Sequence, residues 1–507
     1  MITTGERIAG FTDRLNPMLV RCVRQELSSK MFLGTFNLLL IVAVIACLIA
    51  ANQAYLNSDN PDTTYGQDLF NVLAWGWSFM LVVIQSGATH RLVMQERQND
   101  TWDLVDLTGI GPRRIVRGLL LANLVQGLLS TAAIAPFLVM AYLLRGLDLV
   151  SIAMALVTVP LLGVAASALA VLSACATPAK NIKNAAGGFI HMFLVFPWIS
   201  LSMGLFTTLR GVSRVPELLA SGDLDAWLGV AAALTCWTGF VWTMLVFSEA
   251  LLTHRAGDRS TRPRLAWSVV WLVGNLWAIG LTVLGIINSG SNQEMPLAVA
   301  GCAGVCMALV GGFIASTEDP GLTPRQARTF DLAPAWAKVP LRFLGPGPNR
   351  GRWWLLAMGL LSLIPVTASL TLSTNGQQPL IFAWYTLGYG CLLIASGTAL
   401  CRHLLGGWTV TPLARRLLII LWASLWLVVP VLVGLFVHDS EFAATVLKLL
   451  SPVTGILLLV DQHDDDNVHL LLGAVPLIGV LWLAWQARQG EVVSRRVFAD
   501  DAHARVG

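Results

Sequence analysis

Charge is scarce in this sequence. Of its 507 residues only 12% are Asp, Glu, Lys or Arg, against about 25% in an average soluble domain. Lysine is rarer still, with five residues beside 28 arginines. None of Lys30, Lys180, Lys183, Lys338 and Lys448 follows a glycine. A P-loop needs a Gly-Lys pair to cradle phosphates, so this chain does not bind ATP in that way. No basic block is dense enough for a nucleic-acid surface, which excludes DNA and RNA as partners. The eight cysteines fall in apolar runs or in segments placed in the cytoplasm below, so no disulfide framework is expected. Residues 1–14 have neither an apolar core nor a small-residue cleavage site, unlike a signal peptide. Disorder requires low hydrophobicity, whereas 55% of the residues are hydrophobic and the mean hydropathy is +0.68.

What the chain does have is apolar length. A helix crosses about 30 Å of hydrocarbon with roughly 20 apolar residues. Such runs recur at 32–51, 70–88, 118–144, 149–176, 186–209, 226–252, 265–287, 296–315, 353–373, 379–401, 417–437 and 468–487. The expected fold is therefore all-α, a polytopic membrane protein with about twelve transmembrane helices. Lys and Arg collect on the cytoplasmic side of membrane proteins. With the N-terminus inside and the spans alternating, 29 of the 33 basic residues fall in cytoplasmic segments. Only Arg145, Arg210, Arg214 and Lys448 fall outside. Both termini are then cytoplasmic, and the expected location is a bacterial-type cytoplasmic membrane.

A further apolar stretch, 443–460, contains Lys448 and Pro452. As a full span it would invert the charge pattern after it. It reads instead as a re-entrant or interfacial hairpin on the outer side, which is tolerated at membrane depth when packed in protein. Trp227, Trp267, Trp353, Trp354, Trp408 and Trp485 lie near span edges, where an amphipathic ring favours the interface.

Two segments stand out for function. In Arg14–Met31, Asn16 suits an N-cap and Pro17 the first helical position. Met18, Cys22, Val23 and Leu27 form an apolar stripe, with Arg21 and Arg24 elsewhere around the helix. A basic amphipathic helix just before a span lies in the headgroup plane. The second segment is the cytoplasmic loop from His90 to Arg117. Thr101 can cap a short helix from Trp102 to Thr108, closed by Gly109. Trp102, Leu104, Val105 and Leu107 supply apolar contacts, and Asp103 and Asp106 favour its N-terminal half. Gly111-Pro112-Arg113-Arg114 then opens the third span.

Glu96-Arg97-Gln98-Asn99-Asp100-Thr101-Trp102-Asp103-Leu104-Val105-Asp106-Leu107-Thr108, followed by Pro112-Arg113-Arg114-Ile115-Val116-Arg117-Gly118, resembles the cytoplasmic loop of ABC-2 type transporter permeases. The run Asn16-Pro17-Met18-Leu19-Val20-Arg21 similarly resembles that family's amphipathic connecting helix. Asp100 stands where Gly is usual, Gly109 where Pro is usual and Leu119 where Lys is usual. The motifs cover about residues 14–145, and the six-span layout extends to about 255. The resemblance implies an ABC-2 type exporter fold and a permease that moves a substrate with a separate cytoplasmic P-loop ATPase. ATP would bind on that partner, with no cofactor or metal in this chain and no enzymatic activity of its own. It further implies a coupling helix at 94–109, with Glu96, Arg97, Thr101, Trp102, Asp103, Leu104, Val105 and Leu107 facing the ATPase. External re-entrant helices would fall at 210–225. Further transporter subunits are compatible with this assignment.

The second half repeats the layout. Its long basic loop, 316–352, matches 88–117 in position, and Gly347-Pro348-Asn349-Arg350-Gly351-Arg352 echoes Gly111-Pro112-Arg113-Arg114. Thr317-Glu318-Asp319 resembles only the acidic start of the first loop, and its prolines break up any long helix. The expected organisation is a first six-helix half, 1–264, with helix 14–31 and loop 88–117, and a diverged second half, 265–507. Gln85 and His191 are candidate path-lining residues. Glu249 is the only carboxylate close to a span interior, which disfavours a proton-coupled carrier. The acidic loop 461–469 has metal-ligand residue types without fixed spacing. A membrane-embedded enzyme or assembly factor without an ATPase stays open as the alternative.

Overall fold

The computed structural model describes residues 16–56, 65–98, 110–144, 147, 149–176, 224–253, 257–287, 295–318, 334–372, 378–404, 412–436 and 474–490. Among these every regular element is helical. Nine of the described helices are long and apolar enough to cross a membrane. The protein is thus a polytopic α-helical membrane protein. The nine correspond to the first four and the sixth to tenth expected spans. Span 186–209 lies outside the described residues, as do 210–223 of the stretch 210–225, the stretch 443–460 and the loop 461–469, while 224 and 225 begin a helix. The chain divides into two compact units, Met1–Thr253 and His254–Gly507.

The first unit holds α1 (Pro17–Leu27), α2 (Lys30–Leu56), α3 (Tyr65–Phe79), a π-helical turn (Met80–Gln85), α4 (Ser86–Gln98), α5 (Pro112–Leu143), α6 (Leu149–Ala176) and α7 (Leu224–Leu252). From α3 to α4 the helix is continuous. Its 34 residues span roughly 50 Å at 1.5 Å per residue, well beyond the hydrocarbon thickness. The helix thus runs past the expected end of the second span at residue 88, through 94–98, where Val93 and Met94 pack in the core with α1 and α6. The rest of the expected coupling segment, 99–109, lies outside the described residues. Two of the unit's apolar cores are built on α1 and α2. One joins Leu39 and Ala43 of α2 to Trp77 of α3, Ile134 of α5 and Ile152 of α6. The other joins Met18 and Cys22 of α1 to Val93, Val116 and Val171. The opposite side of α2 exposes Leu38, Ile41, Ile45, Leu48 and Ile49, an apolar face suited to lipid.

The second unit holds α8 (Thr261–Ile287), α9 (Met295–Ser316), α10 (Ala335–Leu344), α11 (Pro348–Leu370), α12 (Gln378–Leu404), α13 (Pro412–Phe436) and α14 (474–490). Its centre is the contact between α9 and α11. A Cβ at Gly311 would stand 2.6 Å from the Trp354 ring, and one at Gly312 would overlap Leu355. Small residues let membrane helices approach this closely. Trp267 and Trp354, read from sequence as interface rings, are buried instead. Trp267 donates to the Met307 carbonyl at 3.1 Å, and Trp354 to Ser268 Oγ at 2.9 Å. Trp227 and Trp485 are exposed as expected.

Internal neighbours follow one pattern in both units. The α3–α4 helix packs on α5 and α6, and α6 packs on α7. Likewise α9 packs on α11 and α12, and α12 meets α14 through Gly388 against Pro476 and Thr398 against Gln486. Helix ends also alternate. In the first unit the ends of α4, α6 and α7 and the start of α5 meet at one end, here called basic. In the second, the starts of α8, α11 and α13 meet the ends of α9, α12 and α14.

Candidate functional site at the basic end of the first unit

The site is built on α1. Asn16 Oδ1 accepts from Met18 N at 3.1 Å, and Pro17 occupies the first turn. Asn16 Nδ2 then donates to the Arg114 carbonyl at 2.5 Å, pinning α1 to the start of α5. The contact is closest at Gly118, where an added Cβ would stand 2.8 Å from Met18 Cβ and 3.1 Å from Leu19 N. Only a residue without a side chain fits there. Arg21 and Arg24 lie on the exposed side of α1, as the stripe predicts.

The two stems flanking 99–109 are tied to other spans. Arg97, at the end of α4, donates through Nη1 to the carbonyls of Ala174 and Cys175 at 2.5 and 3.0 Å. These carbonyls belong to the last turn of α6, whose terminal acceptors have no partner within the helix. A cation there also suits the negative end of the helix dipole. Arg113, at the start of α5, pairs with Glu249 of α7 at 3.2 Å. Glu249 is therefore an ion-pair partner at the end of α7.

Below these stems α4 and α5 share a polar seam. Gln85, which ends the π-helical turn, donates through Nε2 to the Asn123 carbonyl at 2.6 Å. Thr89 Oγ1 lies 2.8 Å from Asn123 Oδ1 and 3.0 Å from the Gln85 carbonyl. His90 Nδ1 meets Ser173 Oγ at 2.9 Å. Beside the seam opens a cavity of about 350 Å³. Glu26 of α1, Phe32 of α2, Gln85 and Arg91 of the long helix and Gln126 of α5 line it. Gln126 Nε2 donates to Glu26 Oε2 at 3.3 Å. Burial pushes the Glu26 carboxyl above its ordinary range, against the opposing effects of that hydrogen bond and the nearby Arg91 charge.

Of the residues singled out in the sequence, Gln85 lines the cavity and Arg97 caps α6. Glu96 lies on α4, but its side chain is outside the described residues. Thr101, Trp102, Asp103, Leu104, Val105, Leu107 and His191 are outside them altogether. Glu26, Arg91, Asn123 and Gln126 were not assigned to a site. A signal for Glu26 did exist: Met18, Cys22 and Glu26 fall at four-residue intervals, so the acid continues the buried face of α1. No sequence signal joins Gln126 to it, since they are 100 positions apart.

The corresponding end of the second unit is organised differently. Glu318 Oε2 accepts from Arg264 Nη2 and Ser260 Oγ, both at 2.8 Å, and from Gly347 N at 3.1 Å. Arg415 Nη1 donates to the carbonyls of Thr317 and Glu318 at 3.1 and 2.8 Å. Arg264 is buried, so removing Glu318 would strand a charge away from water. The acidic residue of this loop therefore clamps α8, α9 and α11 together rather than facing outward. The loop also contributes a short helix, α10, after Pro334 and with Pro340 inside it. Trp336 of α10 is exposed. Among the described residues no group of three or more His, Cys, Asp or Glu side chains converges as a metal site would.

Comparison with known proteins finds no protein family, no curated protein and no solved structure that matches the chain.

Proposed function

We propose that the chain is the permease of an ABC-2 type export system and works with a separate P-loop ATPase that docks at 99–109. The observation that carries this reading is the tethering of both stems. One stem, α4, is hydrogen-bonded to α6 through Arg97. The other, α5, is joined to α7 through Arg113 and to α1 through Asn16 and Gly118. A push on the short segment between them reaches three other helices through direct contacts. A coupling element needs such contiguous contacts. The close seating of α1 on α5 fits a connecting helix of the family the sequence resembles.

Twelve spans in two related halves are part of the proposal. The repeated neighbour pattern supports the duplication. Parity supports the count: α6 ends at the basic end while α7 begins at the other, as one intervening crossing requires. In the second unit α13 ends and α14 begins at the same far end, which suits a hairpin, not a span, at 443–460. The substrate would move past Gln85 and the polar seam.

The test is co-purification of the full chain from its native membrane. A P-loop ATPase should accompany it, and changing both Trp102→Asp and Leu104→Asp should abolish that association while membrane insertion persists. Unchanged association in the double variant sinks the docking assignment. Absence of any ATPase from the wild-type preparation sinks the permease reading itself.

A further inference from the structure

The cavity beside the polar seam carries a charge arrangement that ATPase docking does not use. Glu26 and Arg91 both line it, yet no ion pair joins them. Arg91 Nη2 rests on Met31 Sδ at 2.7 Å, a weak acceptor for a guanidinium. Glu26 receives the Gln126 amide at 3.3 Å. A carboxyl group and a guanidinium therefore face the same space.

The neutral polar groups are oriented as well. Gln85 Nε2 is committed to a backbone carbonyl and Gln126 Nε2 to a carboxylate. Those groups accept and do not donate when the carboxylate is ionised, so both amide nitrogens point toward them. The amide oxygens of Gln85 and Gln126 are left as acceptors in side chains that line the cavity. With Glu26 they make three acceptors. A primary ammonium has three N–H donors and no acceptor. A guanidinium suits a phosphate. The remaining walls combine apolar Met31, Phe32, Met80 and Ile84 with uncharged polar side chains such as Ser29 and Thr35. Met31 and Phe32 begin α2, whose outer face is open to lipid.

Size narrows the choice. A volume of about 350 Å³ is at the small end of ligand sites, which run from roughly 300 to 1,000 Å³. It suits a headgroup whose acyl chains stay in the bilayer alongside α2. We propose that this cavity binds the headgroup of an ethanolamine-bearing phospholipid, with its ammonium on Glu26, Gln85 and Gln126 and its phosphate on Arg91. A choline headgroup has no N–H to donate and is held best among several aromatic faces, whereas Phe32 is the one aromatic in this lining. An anionic headgroup without an amine would satisfy Arg91 and be repelled by Glu26. The inference depends on the membrane setting and not on ATPase docking, so either can fail without the other.

The test uses the purified full chain in detergent, read by native mass spectrometry after mixing with phosphatidylethanolamine, phosphatidylcholine or phosphatidylglycerol. Phosphatidylethanolamine should be retained about tenfold better than either of the others, the worth of one charge-assisted hydrogen bond. Glu26→Gln should erase that preference while its thermal midpoint stays level or rises, since a half-buried carboxyl is replaced by an uncharged isostere. Ala88→Trp, which fills the cavity from α4 without touching a charge, should expel the bound lipid. Equal retention of the three lipids by the wild type overturns the proposal. So does an undiminished preference in both variants. Displacement by free phosphoethanolamine as effective as that by the lipid would assign the site to a soluble amine and overturn the lipid assignment.

Discussion

Gly118 and Arg97 show how single residues hold the basic end of the first unit together. Gly118 lets the backbone of α1 approach α5 so closely that any Cβ meets Met18. Gly118→Leu forces the two helices apart, and overpacking of this kind costs roughly 1–3 kcal/mol. The expected result is a lower thermal midpoint in detergent together with faster proteolysis of α1, seen to a lesser degree with Gly118→Ala, while Gly127→Ala leaves both unchanged. The control is apt because a Cβ at Gly127 meets nothing within 4 Å. Equal sensitivity at the two glycines would mean that α1 is not seated as described. Arg97 is informative in another way. The family resemblance puts it on the docking segment, and its guanidinium donates to the α6 carbonyls. Its charge serves a helix end, where the carbonyls lack intrahelical donors.

At the scale of elements, two kinds of glue join the spans of the second unit. Between α9 and α11 the contact is steric, with Gly301, Gly304, Gly311 and Gly312 receiving Val366, Ser362, Trp354 and Leu355. Between α12 and α14 it is polar: Gln486 Nε2 donates to the Ala395 carbonyl at 2.9 Å, and Thr398 Oγ1 donates to Gln486 Oε1 at 3.0 Å. Interhelical hydrogen bonds in membranes average about 0.6 kcal/mol, because the alternative state also finds partners. Gln486→Leu should therefore lower the midpoint only slightly. Gly312→Leu, which drives a side chain into Leu355, should cost several times more or prevent folding. A larger effect from Gln486→Leu, measured by thermal unfolding of both variants, would reverse this ranking. The polar seam of the first unit has no such glycine contact, and that difference leaves room for the cavity there.

For the whole molecule, the alternation of helix ends is the most general property. With twelve spans and a cytoplasmic N-terminus, single cysteines near Asp62, Glu294 and Asp464 should label from outside. Those near Arg262 and Arg328 should label only from inside. External labelling at Arg495 would contradict the count. If each half supplies one side of a transport path, the particle should hold one copy of this chain and two ATPase subunits. Their docking should be unequal, because Glu318 is drawn into the second unit. Two copies of the chain around one path, counted by mass, would instead make the second unit an appendage.

Apolar run length was enough to place the nine membrane-long helices among the described residues, and the Asn16-Pro17 pair with its apolar stripe to predict α1, down to its Asn16 cap. Those features are local: they depend on residues within one or two turns and on the solvent around them. Tertiary structure decided the rest. It made Trp267 and Trp354 packing residues, because facing glycines create slots that no one-dimensional pattern reveals. It prolonged the second span to Gln98, since helix continuation there depends on Val93 and Met94 finding α1 and α6. It also brought Glu26, Arg91 and Gln126 to one cavity, because a polar site in a membrane helix is defined by which neighbour it faces, and that is a property of the packing alone.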